Sequence, residues 1–426
     1  MKAQAIATIS KRRLPYTPSP AQATGPSRLI YLDGLRGWMA LFVVFSHLCR
    51  TWLLGPRELE QHGAEWAFFW LKWTPLGVLT DGIQAVYVFF VISGVALSYP
   101  ILRAQQPGRT LVTMALYRYP RLTVPILMSS LAVFALLAFG LFHHHEAAAR
   151  HHTDTDWWRE LYSFPLDFGA MLRFALWEVY KPGLPNEQSW NVVLWTMPIE
   201  LTGSFMIFFV LAAVPWRGLR IMLAAYISIR DVGTGIYGYF VCFFVGYLLA
   251  ELILAAERRP DLGRRLAAAA PFGWFFLVAA LVCSIRLEVV SFDSSRAEYM
   301  MAMNIVAALT VTGIVLTPAA QIWLSRPFSH FLGRISFGLY LTHLPLICSL
   351  SSALYLALID VLPYGLLVVA VVVPSVLAAL AVGWGFSEIV EERLLPAIKQ
   401  PIVGIAQWFY AQLYSFVRSS VLRILP

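Results

Sequence analysis

Apolar segments of about 20 residues recur along this 426-residue chain and constrain its fold more than any other feature. A segment of that length crosses a bilayer as a helix, because a helix leaves few backbone hydrogen bonds unmade in hydrocarbon. Only 13% of the residues are charged and the mean hydropathy is +0.66, whereas soluble chains are nearer a quarter charged. The sequence therefore predicts an all-α, polytopic integral membrane protein with about ten transmembrane helices.

The apolar segments also predict a topology. We place them at residues 31–53, 77–101, 121–142, 191–214, 217–230, 235–255, 272–288, 299–323, 335–359 and 364–387. The fifth, "RGLRIMLAAYISIR", is the shortest and could be kinked or half-inserted. An even number puts both termini on one side, and most of the 32 Lys and Arg residues then face the cytoplasm. This distribution accounts for the net charge of +8 without a nucleic-acid partner.

Two tails flank the transmembrane domain, which we expect at residues 29–390. We expect residues 1–28 to form a cytoplasmic tail and residues 391–426 a C-terminal tail with an interfacial amphipathic helix. A large extracytoplasmic loop is expected at 143–189, beginning with "HHHEAAARHH". These histidines could bind a metal, but local bias favours a flexible polar loop, so we expect no metal site.

The first apolar segment carries two ionisable groups, Arg36 and His47, in "LDGLRGWMALFVVFSH". Eleven residues are close to three helical turns, so both side chains lie on one face, roughly 16 Å apart along the axis. Ionisable groups are expensive in lipid and usually mark function. The alternative is a neutral histidine whose hydrogen bonds are made by a neighbouring helix. The arginine on the same face makes this structural alternative less favoured.

A second basic feature is the pair Arg118 and Arg121 in "YRYPRLTVP", just before the third expected span. Residues three apart share a helix face, so their guanidinium groups could converge on one anion, and arginine's planar fork suits phosphate. An ordinary positive-inside anchor is the alternative.

Two further ionisable residues lie within later apolar segments. Glu200 occurs in "WNVVLWTMPIELTGSF" and His343 in "ISFGLYLTHLPL". Glu200 could pair with a membrane arginine or could hold a catalytic or substrate group. His343 could pack as an ordinary polar residue, although a second intramembrane histidine favours a shared site.

Taken together, these stretches resemble the membrane-bound acyltransferase 3 family, whose members O-acylate surface carbohydrates and related molecules. "LDGLRG…H" resembles the family's opening motif, and "RYPRL" its R-x-x-R motif. "FFVISGVALS", "LWTMPIE" and "SFGLYLTHLPL" resemble three later signatures, in the expected order. The similarity covers roughly residues 29–390. One departure is that "LWTMPIELTGSF" lacks the second acidic residue that often follows the glutamate.

The resemblance implies an O-acyltransferase that takes its acyl group, with acetyl preferred, from a cytoplasmic acyl-CoA co-substrate. His47 would be the general base or transient acyl carrier, with Glu200 as the second catalytic residue. Arg36, Arg118 and Arg121 would bind the donor's phosphates. Asp33 and His343 would line the substrate cavity.

The acceptor implied is a carbohydrate at or across a bacterial inner membrane. Many relatives carry a C-terminal esterase-like domain, so this chain would act alone or with a separate extracytoplasmic transferase or polysaccharide-synthesis machinery. A transporter is the main alternative from a different class, although no inverted repeat is visible in the sequence. A conduit that carries acetyl groups to a separate enzyme also remains open.

Overall fold

In a computed structural model, the structure describes residues 29–53, 74–151, 158–183, 188–230, 238–289 and 296–424, and this part is mostly helical and contains no β-strand. The expected N-terminal tail, residues 1–28, lies outside the described residues. The all-α class predicted from the sequence is confirmed.

The longer helices, numbered in chain order, are α1 (Ile30–Trp52), α2 (Gly82–Arg103), α3 (Pro107–Ala138), α6 (Met197–Ala213), α7 (Arg217–Arg230), α8 (Gly238–Arg258), α10 (Ala270–Val289), α11 (Arg296–Leu316), α13 (Pro327–Leu346), α15 (Tyr364–Phe386) and α16 (Leu395–Ile424). The shorter helices are α4 (His144–His151), α5 (Phe168–Leu176), α9 (Pro260–Ala268), α12 (Pro318–Leu324) and α14 (Ser352–Leu358). π-Helical turns at Ile347–Ser351 and Ser387–Leu394 join α13 to α14 and α15 to α16.

Eight helices within the described residues are long and apolar enough to cross a membrane. The number is nine if α9 and α10, which meet at a 52° bend, form one broken span. This agrees with the expected architecture of an integral membrane protein. The weakest of the ten expected segments, α7, has 14 residues and a length of about 21 Å, short for a bilayer core.

Helix directions show that α7 nevertheless runs from one end of the bundle toward the other. We call the end where α1 begins the near end and the opposite end the far end. Gly82, at the start of α2, packs against Ser46, late in α1, so α2 runs from far to near. Helix α8 lies parallel to α2, since Tyr87 contacts Tyr239 and Tyr99 bonds Glu257.

Helix α7 is antiparallel to α8. Arg217 bonds Glu251 at 2.7 Å, whereas Arg220, one turn later, bonds the earlier residue Tyr247. Helix α7 therefore runs from the near end toward the far end, where α8 begins. Helix α7 is nevertheless not among the eight helices long and apolar enough to cross a membrane, so a fifth crossing at this position stays a prediction.

Helix α3 begins at Pro107, 14 residues earlier than the expected start at residue 121. Arg118 and Arg121 therefore lie inside a helix whose first turns precede the expected third span, and the position at which α3 enters the membrane stays a prediction. Arginine lowers the hydropathy of a segment but is a good helix former. The hydropathy pattern therefore misses the first part of this helix, although the arginines do not interrupt it. Pro120 and Pro125 also lie within α3.

Glycines bring α1 and α13 into backbone contact. A Cβ on Gly37 would lie 2.3 Å from the Gly333 nitrogen, and one on Gly333 would lie 2.4 Å from the Asp33 carbonyl oxygen. Such distances are possible only without side chains, as at small-residue helix interfaces in membranes. The two helices are parallel, since Asp33 lies beside Gly333 and Trp52 bonds Ser351.

The histidine-rich start of the large loop is folded. Residues 144–151 form helix α4, and both His144 and His151 are fully buried. His144 bonds the Leu161 carbonyl oxygen at 2.8 Å through Nε2, and burial lowers its pKa to about 4, so it is neutral near pH 7. The expected flexible polar loop is therefore wrong for this stretch, because these histidines pack into the core instead of remaining solvated.

The C-terminal segment continues the preceding span. Residues 364–412 form one helical stretch through the π-helical turn, and α16 lies antiparallel to the first half of α3. Tyr117 donates to the Leu395 carbonyl oxygen, and the Tyr410 ring lies beside Gly108. An interfacial position for residues 391–426 remains a prediction.

Close approach of α2 and α8 gives a first testable prediction. A Cβ on Gly94 would lie 2.2 Å from the Phe243 carbonyl oxygen, so Gly94→Ala should force the helices apart and destabilise the protein by about 1–3 kcal/mol. Thermal unfolding of the detergent-solubilised protein measures this as a lower Tm. Gly385→Ala is the matched control, because nothing lies within 4 Å of its added Cβ. Equal Tm values for the two variants would contradict the contact.

Candidate active site

Arg36 and His47 lie on the face of α1 that packs against α13. The Arg36 guanidinium donates to the Ser336 hydroxyl at 3.0 Å and lies 3.6 Å from the Asp33 carboxylate. His47 contacts His343, with Nδ1 and Nε2 3.1 Å apart. The structure thus brings four of the residues singled out in the sequence together as two separate pairs, Arg36 with Asp33 and His47 with His343.

His343 is fully buried, whereas His47 is half-buried. Each ring also places its Nδ1 near the carbonyl oxygen one turn earlier in its own helix. The distances are 3.0 Å from His47 to Val43 and 3.2 Å from His343 to Leu339. The histidine pair is therefore anchored to the backbone on both sides.

Glu200 lies in a second polar cluster and pairs with Arg118. Arg118 binds the Glu200 carboxylate and also donates to the Ser204 hydroxyl at 2.7 Å, while Ser93 donates to Glu200 at 2.8 Å. The Arg118 and Glu200 side chains are only 15% and 14% exposed. This cluster ties α2, α3 and α6 together, as in the interpretation that paired Glu200 with a membrane arginine.

Arg121 has a different carboxylate partner, Glu391, at 3.2 Å. Glu391 lies in the π-helical turn after α15 and accepts a second hydrogen bond from Ser387 at 3.1 Å. Arg118 and Arg121 share a face of α3, but each is ion-paired to a separate helix. The Arg121 side chain is 33% exposed, about twice as much as that of Arg118.

Tyr340 connects the two regions and was not singled out from the sequence. Its hydroxyl donates to the Val193 carbonyl oxygen at 2.6 Å and lies 3.0 Å from the Thr196 hydroxyl, in the turn just before α6. Its ring lies 6.1 Å from that of His343, centroid to centroid. A hydroxyl-bearing aromatic inside the motif "SFGLYLTHLPL" was the available signal. Glu391, within "SEIVEERL", carried no signal beyond its charge.

Within the described residues, no group of three or more His, Cys, Asp or Glu side chains could hold a metal ion. The polar groups of the site are imidazoles, guanidiniums, carboxylates and hydroxyls. Such a set can take up and return a proton and can bind an anionic ligand.

Comparison with known proteins identifies the class. A family model described as "Acyltransferase domain" matches residues 29–384, and the chain therefore belongs to this acyltransferase family. The fold and the match together describe a membrane-embedded acyltransferase.

The chain is also similar to the O-acetyltransferase PaAT-1 of Phomopsis amygdali. The two are 27% identical over 382 residues, an alignment that covers 76% of this chain and 73% of the relative. No solved structure matches the chain significantly.

The Arg118–Glu200 pair gives a second prediction. Removing one partner, as in Glu200→Leu or Arg118→Leu, should destabilise the protein by roughly 3–5 kcal/mol because the remaining charge is poorly solvated. The double variant should be much less destabilised than the sum of the two. A double-mutant cycle on thermal unfolding measures the difference.

Arg264 and Asp261 provide the matched control, because they form an ion pair whose side chains are both 82% exposed. The same cycle there should show coupling close to zero. Additive effects at Arg118 and Glu200 would show that their contact does not stabilise the fold.

Proposed function

We propose that this acyltransferase moves an acyl group, with acetyl preferred, from acyl-CoA to a hydroxyl group of a carbohydrate, with His47 at the reaction centre. The observation that carries the proposal is the position of His47. It is half-buried late in α1, inside the region that matches the family model, and is held by Val43 and His343.

In the proposed reaction, His47 accepts the proton of the acceptor hydroxyl as its oxygen attacks the thioester carbonyl carbon. A new C–O bond forms and the C–S bond breaks, which releases CoA as a thiolate. The proton on His47 then passes to that sulfur, so atoms and charge balance. A transient acyl group on His47 is the alternative route.

The donor's phosphates are proposed to bind toward the near end, at Arg36 and Arg121. These side chains are 32% and 33% exposed and could turn toward an anion. The separation of about 16 Å between Arg36 and His47 along α1 would let an extended pantetheine arm reach the histidine. Arg118 is the less available of the three because Glu200 and Ser204 hold it.

The remaining residues are proposed to shape the cavity. Asp33 pairs with Arg36, and Glu200 would act by fixing Arg118 beside the reaction path. The near end is proposed to face the cytoplasm, supported by the basic residues Arg103, Arg258 and Arg326 at helix ends there. A bacterial inner membrane, and hand-over to a partner transferase or polysaccharide machinery, remain predictions from the family.

His47→Ala should lower acyl transfer by about 10²–10⁴-fold, the usual contribution of a general base. The measurement follows radiolabel from acetyl-CoA into glycans in membranes that contain wild-type protein, the variant or neither. Digestion of the labelled material then identifies the acceptor. His330→Ala is the matched control, since His330 is exposed on α13. Equal labelling by wild type and His47→Ala at equal protein levels would remove His47 from the chemistry.

Arg121→Gln should raise KM for acetyl-CoA roughly tenfold and change kcat little, because a charge-assisted hydrogen bond contributes about 1.5–3 kcal/mol. Initial rates at varied acetyl-CoA measure the effect. Arg109→Gln removes an exposed charge from the same helix and should leave KM unchanged. An unchanged KM in Arg121→Gln would assign Arg121 to its ion pair with Glu391 alone.

A further inference from the structure

The contact between His47 and His343 joins two imidazoles whose other hydrogen bonds determine where their protons lie. The Val43 carbonyl oxygen, 3.0 Å from His47 Nδ1, can only accept a hydrogen bond. This contact is a hydrogen bond only when His47 Nδ1 carries hydrogen. The Leu339 carbonyl oxygen, 3.2 Å from His343 Nδ1, sets the same condition on that ring.

With hydrogen on Nδ1, a neutral His343 has its lone pair on Nε2, the atom that faces His47 Nδ1 at 3.1 Å. The His47 N–H is then shared between the Val43 carbonyl oxygen and His343. In the reverse arrangement, His343 Nε2 would donate to a bare His47 Nδ1. That arrangement would set a nitrogen lone pair against a carbonyl oxygen in both helices, so the geometry disfavours it.

We propose that His343 is the positioning residue of the reaction centre, acting as the hydrogen-bond acceptor that holds His47 with hydrogen on Nδ1 and its basic lone pair on Nε2. This inference rests on the proposed function of His47. It assigns to His343 a role in the reaction that burial and packing alone would not require.

The role resembles that of the carboxylate in a Ser-His-Asp triad, which fixes the histidine's tautomer and stabilises its cation without becoming protonated itself. When His47 takes the acceptor's proton on Nε2, positive charge spreads to Nδ1–H, and the His343 lone pair faces that hydrogen. The proton returns to the departing sulfur from His47 Nε2, so His343 exchanges none. A neutral acceptor also avoids placing a permanent charge in the bilayer.

Burial distinguishes the two histidines. His343 is 0% exposed, with one ring nitrogen directed at Leu339 and the other at His47. His47 is the more exposed residue of the two. A substrate hydroxyl can therefore reach His47 more readily, which leaves His343 to act through it.

Two isosteric variants of His343 separate positioning from packing. Gln places an amide oxygen close to the position of imidazole Nε2, whereas Asn places its polar atoms close to Nδ1. His343→Gln should keep an acceptor for His47 and retain activity within about tenfold of wild type. His343→Asn keeps a partner for Leu339 but loses that acceptor, so its kcat should fall roughly 10- to 100-fold with KM for acetyl-CoA unchanged.

His330→Asn, at an exposed position of α13, controls for the substitution itself. If His343→Asn is as active as His343→Gln, the acceptor role is excluded. If His343→Gln and His343→Asn both lose activity and both also yield less folded protein, the kinetic comparison counts against positioning and favours a purely structural role for His343.

Solid-state NMR of the ¹⁵N-histidine-labelled full chain in lipid provides a readout that needs no turnover. The His47 signals, assigned by their loss in His47→Ala, should show a protonated Nδ1 and a bare Nε2 in wild type. His343→Asn should shift this population toward the Nε2–H tautomer. A wild-type His47 protonated on Nε2 would overturn the proposal, as would a tautomer unaffected by His343→Asn.

The two experiments also separate this inference from the proposed function. Wild-type protein that shows the Nδ1–H tautomer and its dependence on His343, but transfers no acetyl group, would overturn the function and leave the pairing intact. Acetyl transfer that depends on His47 but not on a hydrogen-bond acceptor at residue 343 would support the proposed function and overturn the positioning role of His343.

Discussion

Backbone contact between α1 and α13 is the constraint on which the site depends. Gly37 and Gly333 remove the side chains that would separate the helices, and close approach lets short side chains meet across the interface. Arg36 then reaches Ser336, and His47 reaches His343. Without that approach, one face of α1 would present an arginine and a histidine to hydrocarbon. The glycines of "LDGLRG" are thus as much a part of the site as its ionisable residues.

The polar groups of the membrane domain form small, separate clusters. Arg118 with Glu200 and Arg121 with Glu391 each neutralise a charge and join helices that are distant in sequence. Tyr340 bonds the turn before α6 and lies beside His343, so it connects the Glu200 helix to the histidine pair. A displacement of α6 would therefore change the position of Tyr340, and through it the packing of His343 and His47.

Periodicity and hydropathy predicted the helical class, most of the spans and the shared face of Arg36 and His47, because these are local properties. Helix α3 begins before the expected third span because hydropathy falls at arginines that the helix accommodates. The histidine-rich helix α4 was missed because composition does not show burial. Glu200 pairing with an arginine was foreseen as one alternative. Its particular partner, and the roles of Tyr340 and Glu391, depend on contacts between distant segments that no local pattern records.

The parallel α1–α13 pair also has a consequence for biogenesis. His47 and His343 are 296 residues apart, and synthesis at about 5–20 residues per second separates their emergence by roughly 15–60 s. During that interval α1 holds two costly polar groups in the membrane without the helix that satisfies them in the finished protein. The insertion machinery, lipid headgroups or earlier helices would then cover these groups until α13 is inserted, so the contact between His47 and His343 is among the last parts of the molecule to form.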